Sequence, residues 1–261
     1  MADRPTYTRA QLEQYFDRIV LPQRQRIYSV TEQLSNGSTT AVDQLAYLTL
    51  LVKHQVVKVP FENLSLHYSW HRTINVRPQY LFRKIVEKQP HAGAGSGGDG
   101  EPRPWQCNRG GYCMEANSFF HTVLRSLGYN VYLAGARVFN PPNTTLRGKY
   151  MVDVAFGANE AAMPLPLTAN AVHTQIAPGQ MRVVYEALPQ NLNQDSKCWV
   201  YQQRIRPDAE WTPAYCFVDF EFLPEDIAGM NLSPWKSPSS FFHQKVLAVR
   251  FTTDRENPNG V

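Results

Sequence analysis

The sequence predicts an α+β protein, and three observations carry that reading. Helical periodicity fills the first third of the chain, strand-like runs dominate the second half, and a helix that begins on a cysteine stands between them. In order, residues 8–19 open on Thr8 with Gln11 three positions later, a spacing that lets the two side chains cap each other's backbone N–H groups. Residues 42–59 contain the long apolar-rich pattern LAYLTLLVKHQVVKV, which Pro60 ends because proline cannot continue the hydrogen-bond ladder. Pro78 opens a further helix through Tyr80, Leu81, Ile85 and Val86, since a first helical position requires no N–H. Together these predict an N-terminal helical bundle. Residues 89–103, QPHAGAGSGGDGEPR, carry almost no apolar surface and are expected to form a mobile insertion. Their GAGSGG run lacks the preceding strand and following helix that a phosphate-binding turn needs.

Residues 109–117, RGGYCMEAN, put Cys113 directly after Gly110-Gly111 and at the start of a helix. Phe119, Phe120, Val123, Leu124 and Leu127 recur at helical spacing, and Gly128 stops the pattern. Unpaired N–H groups and the positive end of the helix dipole favour an anion at that position, so the thiol pKa should fall below its free value of about 8.5. A nucleophile is the reading that follows. The alternative is a buried packing cysteine, but packing alone does not require two glycines, which permit φ > 0 and close approach of a backbone or ligand. After this helix, residues 130–139 and 150–156 read as strands, with further strands over 181–187, 199–206 and 245–252.

RGGYCMEAN resembles the RGGxCxExN signature of the arylamine N-acetyltransferases, and other segments agree. Residues 60–64 (PFENL) match a family segment, residues 150–157 (YMVDVAFG) resemble VDVGFG, and residues 226–231 (DIAGMN) with 237–241 (SPSSF) resemble a later DFxxMN…SPxSxF run. The resemblance implies a cysteine-protease-like plan: an N-terminal helical domain over residues 1–88, the insertion at 89–103, a nucleophile helix and β-barrel over 104–200, and a truncated α/β lid over 201–261. It further implies a Cys-His-Asp triad that moves an acyl group from acetyl-CoA, or another short acyl-CoA such as malonyl-CoA, to an arylamine or hydrazine. Carried over by position, Cys113 is the nucleophile and Asp153 the acidic orienter, while Phe156 and Gly157 shape the cleft for acceptor and coenzyme A. Ala155 replaces the glycine of VDVGFG. Glu62 and Arg109 are expected to form an ion pair joining the first domain to the nucleophile loop.

One family element is absent from the sequence. The triad histidine belongs on a strand between segments matching residues 136–138 and the VDVGFG-like run, yet residues 139–149 (FNPPNTTLRGK) contain no histidine. Forty residues separate Cys113 from Asp153, shorter than the family arrangement by roughly one strand and its turn. His121 lies eight residues along the same helix, about 12 Å away at 1.5 Å rise, and cannot substitute. The chain therefore reads as an N-acetyltransferase of impaired activity or as an inactive or incomplete member of that fold, with a papain-like cysteine hydrolase as the third reading.

Composition narrows the classes further. With 43% hydrophobic and 12% aromatic residues among 261, the chain can build a real core. Its formal charge of +4 is scattered and accompanied by no nucleic-acid-binding signature, so small-molecule partners are expected rather than nucleic acid. Cysteines 107, 113, 198 and 216 form no CxxC pair or metal cluster and read as reduced thiols. The first residues lack an apolar signal core and no run reaches a membrane span, so a cytoplasmic location without membrane contact is the expectation; the family resemblance implies an enzyme of xenobiotic metabolism without a metal.

Overall fold

A computed structural model describes residues 4–31, 40–69, 71–88, 108–135, 137–139 and 148–253. The insertion expected at 89–103 lies outside them, as do Cys107 and His91. Helix α1 (Arg9–Arg18) has the expected reciprocal cap: the Gln11 N–H donates to Thr8 Oγ1 at 3.3 Å and the Thr8 N–H to Gln11 Oε1 at 3.0 Å. Helix α2 (Ala41–Lys58) begins on a second such box, Thr40 with Asp43, and stops before Pro60. After strand β1 (Phe61–Glu62) come the short helix α3 (Leu64–Tyr68) and α4 (Pro78–Ile85), which has proline at its first turn. Helix α5 (Cys113–Ser126) completes the bundle, and Gly128 follows it at φ +88.

Tyr15, Phe16, Leu48, Leu51, Leu81, Ile85, Phe119 and Val123 pack into one core that draws on α1, α2, α4 and α5. Each such side chain withdrawn from water contributes about 1.5–3 kcal/mol. The apolar stripe of α5 is thus locked inward along its length, which fixes where its N-terminal cysteine emerges.

The strands form two four-stranded antiparallel sheets rather than a barrel: β2 (Val131–Leu133), β3 (Arg137–Phe139), β4 (Tyr150–Met151) and β5 (Leu165–Pro166) in one, β6 (His173–Thr174), β7 (Gln180–Ala187), β8 (Lys197–Arg204) and β9 (Thr212–Phe217) in the other. No closed barrel occurs among the described residues. The single strand expected over 130–139 is instead a hairpin, with Val131 opposite Phe139 and Leu133 opposite Arg137. Strand β3 also pairs with β4, Val138 opposite Met151, so it occupies the position between the first strand and the aspartate strand. The reason is ladder satisfaction. With no intervening strand in the sequence, folding the first strand back on itself supplies the backbone partners that β4 would otherwise lack.

The strand expected over 150–156 is likewise cut to two residues, and the β5, β6 and β9 strands were not anticipated. Met151 and Leu165 of one sheet pack on Met181, Val183, Tyr201 and Phe217 of the other. A domain boundary after residue 200 would fall inside β8, whose sheet runs on to Phe217. Beyond it lie helices α6 (Pro224–Lys236) and α7 (Phe241–Gln244) and strand β10 (Ala248–Val249). The strand expected over 245–252 shrinks to β10, which pairs with β1, Phe61 opposite Val249. Asn63 of PFENL secures this return: its Nδ2 donates to the carbonyls of Phe242 (2.9 Å) and Lys245 (2.7 Å), and its Oδ1 accepts the Leu247 N–H at 2.8 Å.

Candidate active site

Cys113 is the first residue of α5, preceded by Tyr112 in extended conformation. Its approach is set by a backbone crossing. The Gly111 N–H donates to Pro60 O and the Glu62 N–H to Gly111 O, each at 3.2 Å, so PFENL and RGGYC lie side by side. A Cβ on Gly110 would stand 1.7 Å from Pro60 O, which no side chain tolerates. Close approach, rather than positive φ, is what the glycine pair supplies, since φ is positive at Gly128, Gly148 and Gly157 but not at Gly110 or Gly111. The Tyr112 hydroxyl donates to Asn231 Oδ1, and Asn231 Nδ2 donates to Ile74 O at 3.2 Å, tying the DIAGMN helix to the nucleophile turn.

Behind the turn lies a buried charge cluster. Lys84 Nζ sits 2.6 Å from Glu115 Oε1 and 3.8 Å from Glu62 Oε1, all three side chains being almost inaccessible. Arg109 reaches Glu62 only at 4.0 Å. The expected Glu62–Arg109 pair is therefore the outer edge of a cluster centred on Lys84, a residue that periodicity marked only as a helix position. Burial raises the Glu115 carboxyl above the ordinary range, Lys84 opposes this, and the Glu62 charge adds to it. Glu115 Oε2 also accepts the Tyr112 N–H at 3.3 Å, which joins the cluster to the start of α5.

Cys113 and Asp153 line one cavity of about 160 Å³, together with Met114, Asn117, Phe156 and Tyr215 among others. Asn117, one turn along α5, bridges to the carboxylate: its Nδ2 donates to Asp153 Oδ1 at 2.8 Å and its Oδ1 accepts the Val154 N–H at 2.9 Å. The Ala155 N–H adds a second bond to Asp153 Oδ1 at 3.0 Å. The Phe156 ring lies 4.8 Å from that of Tyr215. Gly157 is buried at φ +82 beneath Phe61 and shapes the backbone without lining the cavity.

Of the seven histidines none of the described ones lines this cavity, His91 lying outside the described residues. His54 bonds to Ile19 O, His67 lies against the α7 carbonyls, His121 faces Val131 O, and His243 faces Trp235 O. His71 contacts Thr73, and the buried Nε2 of His173 has no partner. No three His, Cys, Asp or Glu side chains converge as a metal-binding group among the described residues, and none of their helices is long and apolar enough to cross a membrane.

Glu160, which the sequence did not single out, is 2% exposed. Burial pushes its carboxyl up to about 9, the Asp153 charge pushes in the same direction, and backbone N–H groups of Phe156 and Gly157 oppose both. The only prior signal was an acid seven positions past Asp153 in an apolar run. Between the ordinary value of 4.5 and about 9 the folded state holds a proton that the unfolded chain releases, so this group's contribution to stability falls as pH rises through that window. Glu160→Gln removes the slope. Urea unfolding across pH should find the variant more stable than the parent at alkaline pH, with the gap closing toward the acid end; parallel profiles would refute the assignment.

The fold is a cysteine-protease-like frame, and this cavity holds a helix-start cysteine together with a buried aspartate. A family model described as N-acetyltransferase matches residues 44–90 and 106–257. The N-malonyltransferase FDB2 of Fusarium pseudograminearum (strain CS3096) is 31% identical over 97% of this chain and 77% of its own length. Arylamine N-acetyltransferase 2 of Mus musculus is 26% identical over 82% of this chain and 73% of its own. In structure, the arylamine N-acetyltransferase of Salmonella typhimurium superposes with a TM-score of 0.68 at 22% identity, over 95% of this chain and 77% of that one. The Mycobacterium marinum arylamine N-acetyltransferase in complex with CoA does so at 0.64 and 23%, over 92% and 77%. The chain belongs to the arylamine N-acetyltransferase family.

Proposed function

We propose that this chain carries an acyl group from a coenzyme A thioester to an arylamine or hydrazine through a thioester on Cys113, and that it does so slowly. The observation behind this is the shared cavity in which Cys113 meets Asp153 across the Asn117 bridge. In the first half-reaction the Cys113 sulfur bonds to the acyl carbon, the bond to the coenzyme A sulfur breaks, and the thiol proton leaves with the departing thiolate. In the second, the amine nitrogen takes the acyl carbon, the bond to Cys113 breaks, and the amine proton returns to its sulfur. Phe156 and Tyr215 offer aromatic surface for a flat acceptor. Acetyl is favoured over malonyl as the group transferred, because the described lining residues include Asp153 and no Lys or Arg to meet a second carboxylate. The reaction suits cytoplasmic handling of foreign aromatic amines.

Peptide mass spectrometry after incubation with acetyl-CoA or malonyl-CoA tests the reading. An acetyl adduct on the Cys113 peptide, lost in Cys113→Ala, is expected; a larger malonyl yield would reverse the donor choice. Iodoacetamide at neutral pH should modify Cys113 before Cys198, whose thiol is raised first by burial and then by neighbouring Cys216. Cys216 is the more exposed competitor. Its faster labelling would deny Cys113 the activation its helix position supplies.

A further inference from the structure

Two free thiols lie close together on the second sheet. Val200 of β8 stands opposite Cys216 of β9, and Cys198 lies two residues before Val200 on the same strand. Residues two apart in a strand project from one face, so Cys198 and Cys216 are diagonal neighbours on a single face of the sheet. The register shift in this ladder falls later, between Tyr201 and Gln202, and leaves that relation intact. Both cysteines are free, and both line a cavity of about 360 Å³ with Leu188, Asn191 and Lys197 among others. Cys216 also lines the acyl cavity, whereas Cys198 does not.

The two thiols differ in access, Cys216 being exposed and Cys198 half-buried. Burial raises the Cys198 thiol first, the Cys216 thiol adds to this by its charge and by a hydrogen bond between the two side chains, and Glu186, directly opposite Cys198, adds last. Diagonal neighbours lie about 7–8 Å apart at Cα, just beyond the roughly 4.4–6.8 Å usual for a disulfide, so closing one requires a small backbone shift. The position allows it. Strand β9 is the edge of its sheet, Cys216 is its next-to-last residue and Cys198 is the second residue of β8, so the pair sits at the end of the ladder, where strands open most easily.

We propose that Cys198 and Cys216 are a dithiol modification site, which small disulfides such as oxidised glutathione convert to a cross-strand disulfide. The Cys216 thiolate attacks one sulfur of the small disulfide, a mixed disulfide forms on Cys216, and one small thiol leaves. The Cys198 thiolate then attacks Cys216 Sγ, the bond between the two strands forms, and the second small thiol leaves. Two protein thiols are oxidised, and one small disulfide is reduced to two thiols that carry off the two protons. Excess reduced thiol reverses both steps.

Non-reducing peptide mass spectrometry of the whole folded chain, incubated with oxidised glutathione and then blocked at its remaining thiols, tests the site. A linked Cys198–Cys216 peptide is expected, lost on treatment with dithiothreitol and retained in Cys113→Ala. In Cys198→Ser the second step is removed, so glutathione should accumulate on Cys216 about tenfold above its level in the parent, where the neighbouring thiol drains it. In Cys216→Ser the Cys198 peptide should stay largely unmodified, for want of the exposed thiol that takes the first step. A link from Cys216 to Cys113 in place of Cys198, equal glutathione on Cys216 in the parent and in Cys198→Ser, or no modification of either cysteine would each overturn the proposal.

Discussion

Inserting a histidine-bearing strand after Thr145 is expected to raise acetyl-CoA-dependent turnover of a simple arylamine by about 10³-fold, within the span that general acid–base catalysis supplies. Cys113 and Asp153 already line one cavity, so an imidazole placed there meets both side chains. Among the described lining residues no group is placed to take the thiol proton and hand it back. Asp153 cannot do this: its Oδ1 already accepts bonds from Asn117 and Ala155, and a carboxylate beside a developing thiolate repels it. An imidazole between the two would carry the proton while Asp153 held its tautomer. The comparison is between the parent and the extended chain, both purified and shown to be folded. Equal rates would mean that another residue supplies the base and that the gap between Phe139 and Lys149 is catalytically silent.

Lys84→Met should destabilise the fold by about 3–5 kcal/mol, the cost of breaking a buried ion pair from one side. The substitution keeps the length of the apolar stem but leaves Glu115 and Glu62 facing each other with no buried cation, Arg109 being at the 4.0 Å margin of Glu62. Adding Glu115→Gln to the variant removes half of the uncompensated charge and should recover much of the loss, a coupling that a double-mutant cycle isolates. Urea unfolding measures both. A loss under about 1 kcal/mol for Lys84→Met would show that the cluster is solvated in solution and does not clamp α4 to α5.

Much of the helical half was legible in the sequence because its signals are local. Thr8 with Gln11, Pro60, Pro78 and Gly128 each act within one turn, and each stands where its chemistry places it. Cys113 at the first position of α5 was legible for the same reason: a Gly-Gly pair followed by helical periodicity leaves few other arrangements. The strands were less legible. A β-strand's partner lies elsewhere in the chain, so residues 130–139 carry the composition of one strand while the ladder available to them makes a hairpin. Strands β5 and β6 are two residues each, too short for alternation to register.

By itself, then, the sequence carried the family motifs: a cysteine at a helix start, an aspartate forty residues on, and no histidine over residues 139–149. Only the tertiary structure decided how those residues are held. It shows that Asn117 is the strut between α5 and Asp153, that Lys84 rather than Arg109 anchors the glutamates, and that Glu160 is a buried acid behind the site. The physical reason is common to all three. Each depends on the loss of water around a polar group, and desolvation is set by what the rest of the chain packs against it.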